Sequence, residues 1–215
     1  MHCAADMISS PDLLYEHELW PAYKLLAGMD EAGRGALAGP VCVGAVILPV
    51  DKTAHLAQTL NGVHDSKQLT PRKRDQLAPL IKKTALSWGI GFASAEEIDA
   101  LGIVPANRLA ASRAIEMLSY FPQYLLTDFR LELPELDVSQ TALVKGDQKS
   151  LSIATASILA KTARDDHMRK LDEQYPEYGF SRHKGYGTLF HRNKTLALGF
   201  SPVHRKTFRV KQSGS

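Results

Sequence analysis

Apolar and polar positions along the 215-residue chain fall into short blocks with two different periods. Residues 25–29 form an apolar run that ends in Asp30-Glu31 and opens into the glycine-rich Gly33-Arg34-Gly35. Residues 41–48 are rich in Val and Ile and lie between Pro40 and Pro49, the composition of a buried strand. Residues 88–93 make a third strand candidate, and the three together predict an antiparallel meander. Thr70-Pro71 supplies an N-cap and a first helical residue for a helix reaching about Lys83. Ser94 with Glu97 three positions on has the form of a capping box. Residues 106–120 place Leu109, Ala110, Ala114, Met117 and Leu118 on one helical face, and Pro122 ends that run. Residues 124–127 read as a strand ending at Asp128, Leu143-Val144 as a brief fifth strand, and residues 152–174 as a long alanine-rich helix. Strands first, then helices interspersed with further strands, predict a mixed-sheet α/β domain.

The ends are less patterned. Residues 1–22 read as a loosely held, flexible leader, residues 23–211 as one domain, and residues 212–215 as a disordered tail. Asp6, Asp12, Glu16 and Glu18 interrupt the first 20 residues, which do not read as a signal peptide. No apolar run approaches the roughly 20 residues that a membrane-spanning helix needs. Cys3 and Cys42 form no metal-binding pair, and their scarcity fits a reducing cytoplasm.

Charge changes the picture more than composition does. From Tyr178 onward there is no Asp or Glu, but eight basic residues: Arg182, Lys184, Arg192, Lys194, Arg205, Lys206, Arg209 and Lys211. The other 18 basic and 23 acidic residues leave the rest of the chain at −5. A basic end on an acidic body points to a polyanionic partner such as nucleic acid, and equally describes a solvated basic tail.

The carboxylates carry the chemistry. Asp30 and Glu31 end an apolar strand, an unusual place for two adjacent acids. Strand side chains alternate faces, so both reach one cluster only if the strand bends there, and Gly33 and Gly35 offer that freedom. Asp128 ends another strand, and Asp147 follows Lys145-Gly146 in a turn-like segment. Each alone is equally a turn or cap residue. Brought together, four carboxylates repel unless cations lie among them, and an all-oxygen set suits Mg²⁺ or Mn²⁺ rather than zinc.

At this point the chain resembles the ribonuclease HII family. The matching segments are AGMDEAGRGALAGPV (27–41), DSKQLTPRKR (65–74), LVKGDQKS (143–150), ASILAKTARD (156–165), YPEYGFSRHKGYGT (175–188) and SPVHRKTF (201–208), in the family's order. The resemblance implies an RNase H-like fold: a five-stranded mixed sheet flanked by helices, with a C-terminal helical extension. It implies that Asp30, Glu31, Asp128 and Asp147 are catalytic metal ligands. One divalent ion would lie at Asp30 and Asp128, and a second near Glu31 and Asp147. It places the 2′-hydroxyl sensor at Gly33, Arg34 and Gly35, a phosphate contact at Lys67 with Lys149 a weaker candidate, and a deoxyribose contact at Tyr186.

The implied substrates are RNA–DNA hybrids and duplex DNA with embedded ribonucleotides, as in ribonucleotide excision repair, cut by a cytoplasmic monomer. Three features qualify the match. Phe129 stands after Asp128 where the family often has glycine. About 25 residues precede the first strand, too few for the extra N-terminal domain of ribonuclease HIII, and no glutamine–aromatic clamp-binding motif ends the chain. Asp165 and Asp166 read as surface or helix-pairing residues, with a supporting role near the site as the alternative, and His183 and His204 as phosphate contacts or structural hydrogen-bonding groups. Two rival readings are a junction resolvase of the same broad fold and a non-catalytic duplex-binding module.

Overall fold

The structure, a computed structural model, describes residues 10–129 and 131–209. Helix α1 spans Leu14–Leu19, and strands β1 (Leu26–Ala32) and β2 (Val41–Ile47) follow. Helices α2 (Thr53–Thr59) and α3 (Pro71–Thr84) lead to β3 (Ser87–Ala93). Helices α4 (Ala95–Leu101) and α5 (Ile103–Glu116) precede β4 (Tyr124–Asp128) and β5 (Ser139–Leu143). The long α6 (Leu151–Gln174) is followed by α7 (Phe180–His183) and α8 (Leu189–Leu198).

The sheet has the order β3-β2-β1-β4-β5. The expected meander forms: β1 pairs antiparallel with β2, and β2 with β3. Strands β4 and β5 add in parallel on the other side of β1. Alternation along each strand splits the core in two. Leu26, Val46 and Leu126 face Ile153, Ala154 and Ile158 of α6, while Ala27, Met29, Val43, Ala45 and Leu125 face Ala106, Ala110 and Ala114 of α5. Helix α6 lies very close to the sheet because two glycines admit it. A Cβ on Gly28 would come within 2.2 Å of the Ser152 backbone, and one on Gly44 within 2.4 Å of the Ala156 carbonyl.

The caps form as the sequence dictates. Thr70 accepts from the Lys73 amide, and Ser94 and Glu97 make the reciprocal capping box. Helix α5 begins and ends several residues before the 106–120 run, and β5 starts earlier than Leu143-Val144 and stops before Val144. Strand β5 is the half-exposed edge of the sheet, so its Ser139–Leu143 sequence carries little alternation to read.

The leader needs correction. Its first nine residues lie outside the described residues, as does the tail at 212–215, but the remainder is docked. Glu16 of α1 is fully buried and accepts from Ser150 Oγ at 2.6 Å and from the Ser152 amide at 2.9 Å, at the start of α6. Asp12 bridges the backbone at Lys149 and Leu151, and Trp20 is buried in the core on the α6 side. Glu16, one of the acids that interrupt this segment, is the side chain that ties it down.

Candidate active site

Three segments deliver the acids to one end of the sheet. Strand β1 does not bend at Asp30-Glu31, as expected, but stays paired with β2 through Ala32. Its pairing with β4, however, ends at Met29–Thr127. Past that point one side of β1 is open, so Glu31 reaches the same space as Asp30 and Asp128 despite strand alternation. One oxygen from each of these three carboxylates lies within 4.8 Å of the others. Asp147 sits beside them in the turn after β5. Its neighbour Gly146 donates its amide to Asp128 Oδ1 at 2.9 Å, and Lys145 enters that turn in the left-handed conformation, φ 55°.

The electrostatics are those of a crowded acidic pocket. Burial, then the Glu31 charge, push Asp30 well above the usual carboxylate range. Burial and Asp128 raise Glu31, against the pull of Arg34 and Lys67. Burial and the neighbouring Asp65 push Asp147 up to about 6. Asp30 Oδ1 accepts from the Glu31 amide at 2.7 Å, but buried Asp30 Oδ2 and Glu31 Oε2 find no hydrogen-bond donor. Buried carboxylate oxygens without donors are costly, and hard divalent ions are the partners such oxygens coordinate. The donor set therefore fits Mg²⁺ or Mn²⁺.

Lys67 stands at the mouth, its ammonium 3.8 Å from Asp147 Oδ2 and largely exposed. Burial disfavours its charge, but Asp30, Asp147, Asp65 and Asp128 outweigh that and raise its pKa. Two small pockets meet at this lysine. One, of about 240 Å³, is lined by Asp65, Asp128, Phe129, Lys145 and Asp147. The other, of about 210 Å³, is lined by Glu31, Gly33, Arg34, Gly35, Lys161 and Tyr186. Apart from Asp30, which is buried behind them, the principal sequence-selected residues thus fall on two adjoining pockets. Phe129 leaves the cluster intact because its side chain is 55% exposed and turned to the rim. Lys149 is exposed and touches neither pocket.

Other readings hold in part. Asp165 is buried rather than on the surface, but the helix pairing is there: it lies 2.6 Å from Lys161 Nζ, four residues back on α6, and 3.1 Å from Arg74 Nη2. Asp166 is exposed and pairs with Arg169. The basic end is not wholly a solvated face either, because Arg205 is fully buried, and Lys211 lies outside the described residues. His183 and His204 are structural. The Ser201 amide donates to His204 Nδ1, which leaves the His204 proton on Nε2 to donate to His191 Nε2 at 3.0 Å. The His191 proton then sits on Nδ1, donating to the Tyr186 carbonyl at 3.0 Å. His183 stacks on His191 at 4.2 Å.

Sequence reading missed Asp65. The Lys67 amide at 2.9 Å and the Gln68 and Gln148 side chains at 3.3 Å all donate to it. Burial pushes this acid up, but the Lys67 amide and Gln148 carry it below its ordinary value. Its only signal was its place two residues before Lys67 in a quoted motif.

A mixed five-stranded sheet that gathers carboxylates where β1 and β4 run out defines an RNase H-like nuclease. The sequence model of the Ribonuclease HII family matches residues 27–211. The Ribonuclease HII of Geobacter sulfurreducens is 47% identical over 208 residues, covering 91% of this chain and 93% of its own. Among solved structures, ribonuclease H2 from Pyrococcus horikoshii superposes with a TM-score of 0.68 at 26% identity, over 86% of this chain and 94% of that one. The RNase HII of Archaeoglobus fulgidus, seen in a complex with PCNA, gives 0.69 at 27% identity, over 84% and 92%. This chain belongs to the ribonuclease HII family. It is accordingly a ribonuclease H, from a family of divalent-metal-dependent enzymes that act on RNA–DNA hybrids. Among the described residues no helix is long and apolar enough to cross a membrane.

Proposed function

We propose that this enzyme cuts the phosphodiester 5′ to a ribonucleotide, in hybrids and at single ribonucleotides embedded in duplex DNA, leaving 3′-hydroxyl and 5′-phosphate ends. The observation that carries the reading is the junction of two pockets. Carboxylate oxygens within 4.8 Å of one another lie beside a pocket walled by Gly33, Arg34, Gly35 and Tyr186. Asp30, Glu31 and Asp128 would hold divalent ions, Mg²⁺ or Mn²⁺, with Asp147 completing the set. When bound, a pair of such ions supplies Lewis-acid activation of water and neutralises charge on the departing oxygen.

The chain's own residues do the rest. Lys67, exposed and 3.8 Å from Asp147, is placed to meet the backbone phosphate. A Cβ on Gly35 would enter open space, so glycine there keeps a side chain out of the way of the sugar, while one on Gly33 would strike Arg164; backbone groups can then reach the 2′-hydroxyl that separates RNA from DNA. Tyr186, 36% exposed at the other wall, offers a ring face to the next deoxyribose. The exposed members of the basic end hold the duplex backbone without reading sequence. A cytoplasmic monomer engaged in removing ribonucleotides from DNA is the setting we propose.

The test uses four labelled substrates: a hybrid, a duplex with one ribonucleotide, the all-DNA duplex and a four-way junction. Each is incubated with Mg²⁺, Mn²⁺ or chelator. Metal-dependent cutting of the first two alone is the expected result. Cutting of the junction or of all-DNA duplex would favour the resolvase reading, and binding without cleavage the duplex-binding module.

A further inference from the structure

Phe129 and Val144 are 55% and 54% exposed, but neither lies on an ordinary stretch of surface. Asp128 pairs with Leu143 where β4 and β5 end, so the next residues, Phe129 and Val144, leave the sheet side by side. Phe129 sits on a turn that is fixed at both ends. The Gly146 amide donates to Asp128 Oδ1, the Leu131 amide donates to the Asp128 carbonyl at 2.9 Å, and the Leu131 side chain is buried. Apolar side chains scattered singly over a surface need no explanation. These two share one pocket, and its six other lining residues are all charged or amide. The Phe129 ring is also a wall of a third pocket, of about 320 Å³, with Arg34, Val104 and Arg108. It stands as an apolar ridge at the edge of the site.

The direction of the substrate strand gives this ridge a place. In the site read above, the ribonucleotide and the deoxyribose after it run away from the scissile phosphate, between Gly35 and Tyr186. Lys67, the phosphate contact, lies where that pocket meets the one on the Asp128 side. A continuous strand leaves in the opposite, 5′ direction, across Asp128, and there it meets Phe129 and Val144. What it presents to them is the sugar whose 3′-oxygen departs. Lys145, exposed in the same pocket, offers a cation to the backbone on that side. A deoxyribose carries CH₂ at C2′, which an apolar face accepts. A ribose carries a hydroxyl there, and a hydroxyl pressed against apolar carbon loses water without gaining a partner.

We propose that Phe129, seated beside Val144, is a specificity-determining residue that reads the sugar on the leaving side of the cut and favours deoxyribose. This rests on the reading of the site as one that cuts 5′ to a ribonucleotide. The loop at 33–35 then selects a ribose after the cut, and Phe129 a deoxyribose before it. The enzyme cuts fastest where a ribonucleotide follows DNA, and more slowly at bonds inside a run of RNA.

The experiment uses two end-labelled duplexes that differ in one sugar, deoxyribose or ribose, immediately 5′ to the same ribonucleotide, with DNA on both flanks. Single-turnover rates are read at the bond between the varied nucleotide and that ribonucleotide, product length separating it from cuts elsewhere. Wild type is compared with Phe129→Ala and Val144→Thr, both at exposed positions that the core does not use, and all-DNA duplex is the control. An apolar pocket discriminates against an added hydroxyl by up to about 100-fold; this seat is open on one side, so wild type should cut about tenfold faster after deoxyribose. Phe129→Ala should bring the two rates to within about threefold, chiefly by slowing the deoxyribose substrate. Val144→Thr should narrow the gap from the other side, since its hydroxyl gives the ribose a partner. Equal wild-type rates on the two duplexes, or a preference that either variant leaves whole, overturns the proposal. Wild-type enzyme that cuts neither duplex, or cuts all-DNA duplex as readily, sinks the reading of the site itself, and this inference with it.

Discussion

Asp30 shows how a single residue can serve the site at the expense of the fold. It is 1% exposed, one oxygen has no donor, and burial and Glu31 hold its pKa well above the ordinary value. In metal-free protein at neutral pH its ionised form therefore destabilises the folded state. A carboxylate raised in this way contributes more stability as pH falls, because the folded chain takes up its proton before the unfolded chain does. Asp30→Asn should abolish metal-dependent cleavage and, in chelator at neutral pH, raise the melting temperature by a few degrees. At this chain length about 1 kcal/mol corresponds to roughly 2–4 °C. The gain should shrink as pH is lowered toward the ordinary carboxylate range. Thermal melts of both proteins across pH in chelator check this, and a variant that melts lower throughout would contradict it.

Among the elements, the clearest prediction concerns α1. Its hold on the start of α6 runs through Glu16, whose oxygen satisfies both the Ser150 hydroxyl and the Ser152 amide. Glu16→Ala leaves those buried donors unpaired and should cost about 1–3 kcal/mol in a denaturant titration. Proteolysis should then release the first helix before the domain unfolds. This element also marks the limit of what periodicity could disclose. Strands β1 to β4 and helices α3, α5 and α6 announce themselves by alternation, caps or a long apolar face. Helix α1, by contrast, is six residues long and is held by a buried acid that sequence reading takes as solvent-facing. Strand β5 lies on the sheet edge with one buried residue, and no hydrophobic pattern could outline it.

For the molecule as a whole, the site was more legible as a family pattern than as physics. Asp30-Glu31 drew attention on their own because two acids at a strand end are unusual. Asp128 and Asp147 did not, since nothing local says that β4 runs parallel beside β1 and that the turn after β5 folds back to Asp128. Asp65, Arg164 and Arg205 were passed over for the same reason. Each looks like surface charge until the topology closes around it. The basic end divides accordingly, some members facing solvent and Arg205 buried as an internal strut.

The imidazole chain from Ser201 through His204 and His191 to the Tyr186 carbonyl has one hydrogen for every link. A further proton would set N–H against N–H. Burial, with His183 close to both, accordingly keeps His191 and His204 down to about 4. Histidines depressed in the folded state support it fully above the unfolded value of about 6.5 and lose that support as pH falls toward 4. Amide exchange followed from neutral to mildly acid pH, with the pH dependence of the intrinsic rate divided out, should therefore lose protection first in residues 186–204, while the sheet stays protected. Uniform protection across that range would refute it. Acidification thus acts on the two halves of the cleft in opposite senses: it relaxes the wall that bears the tyrosine while relieving the repulsion among the carboxylates. On the role proposed for Tyr186, such an enzyme should grow less choosy about sugars well before it comes apart.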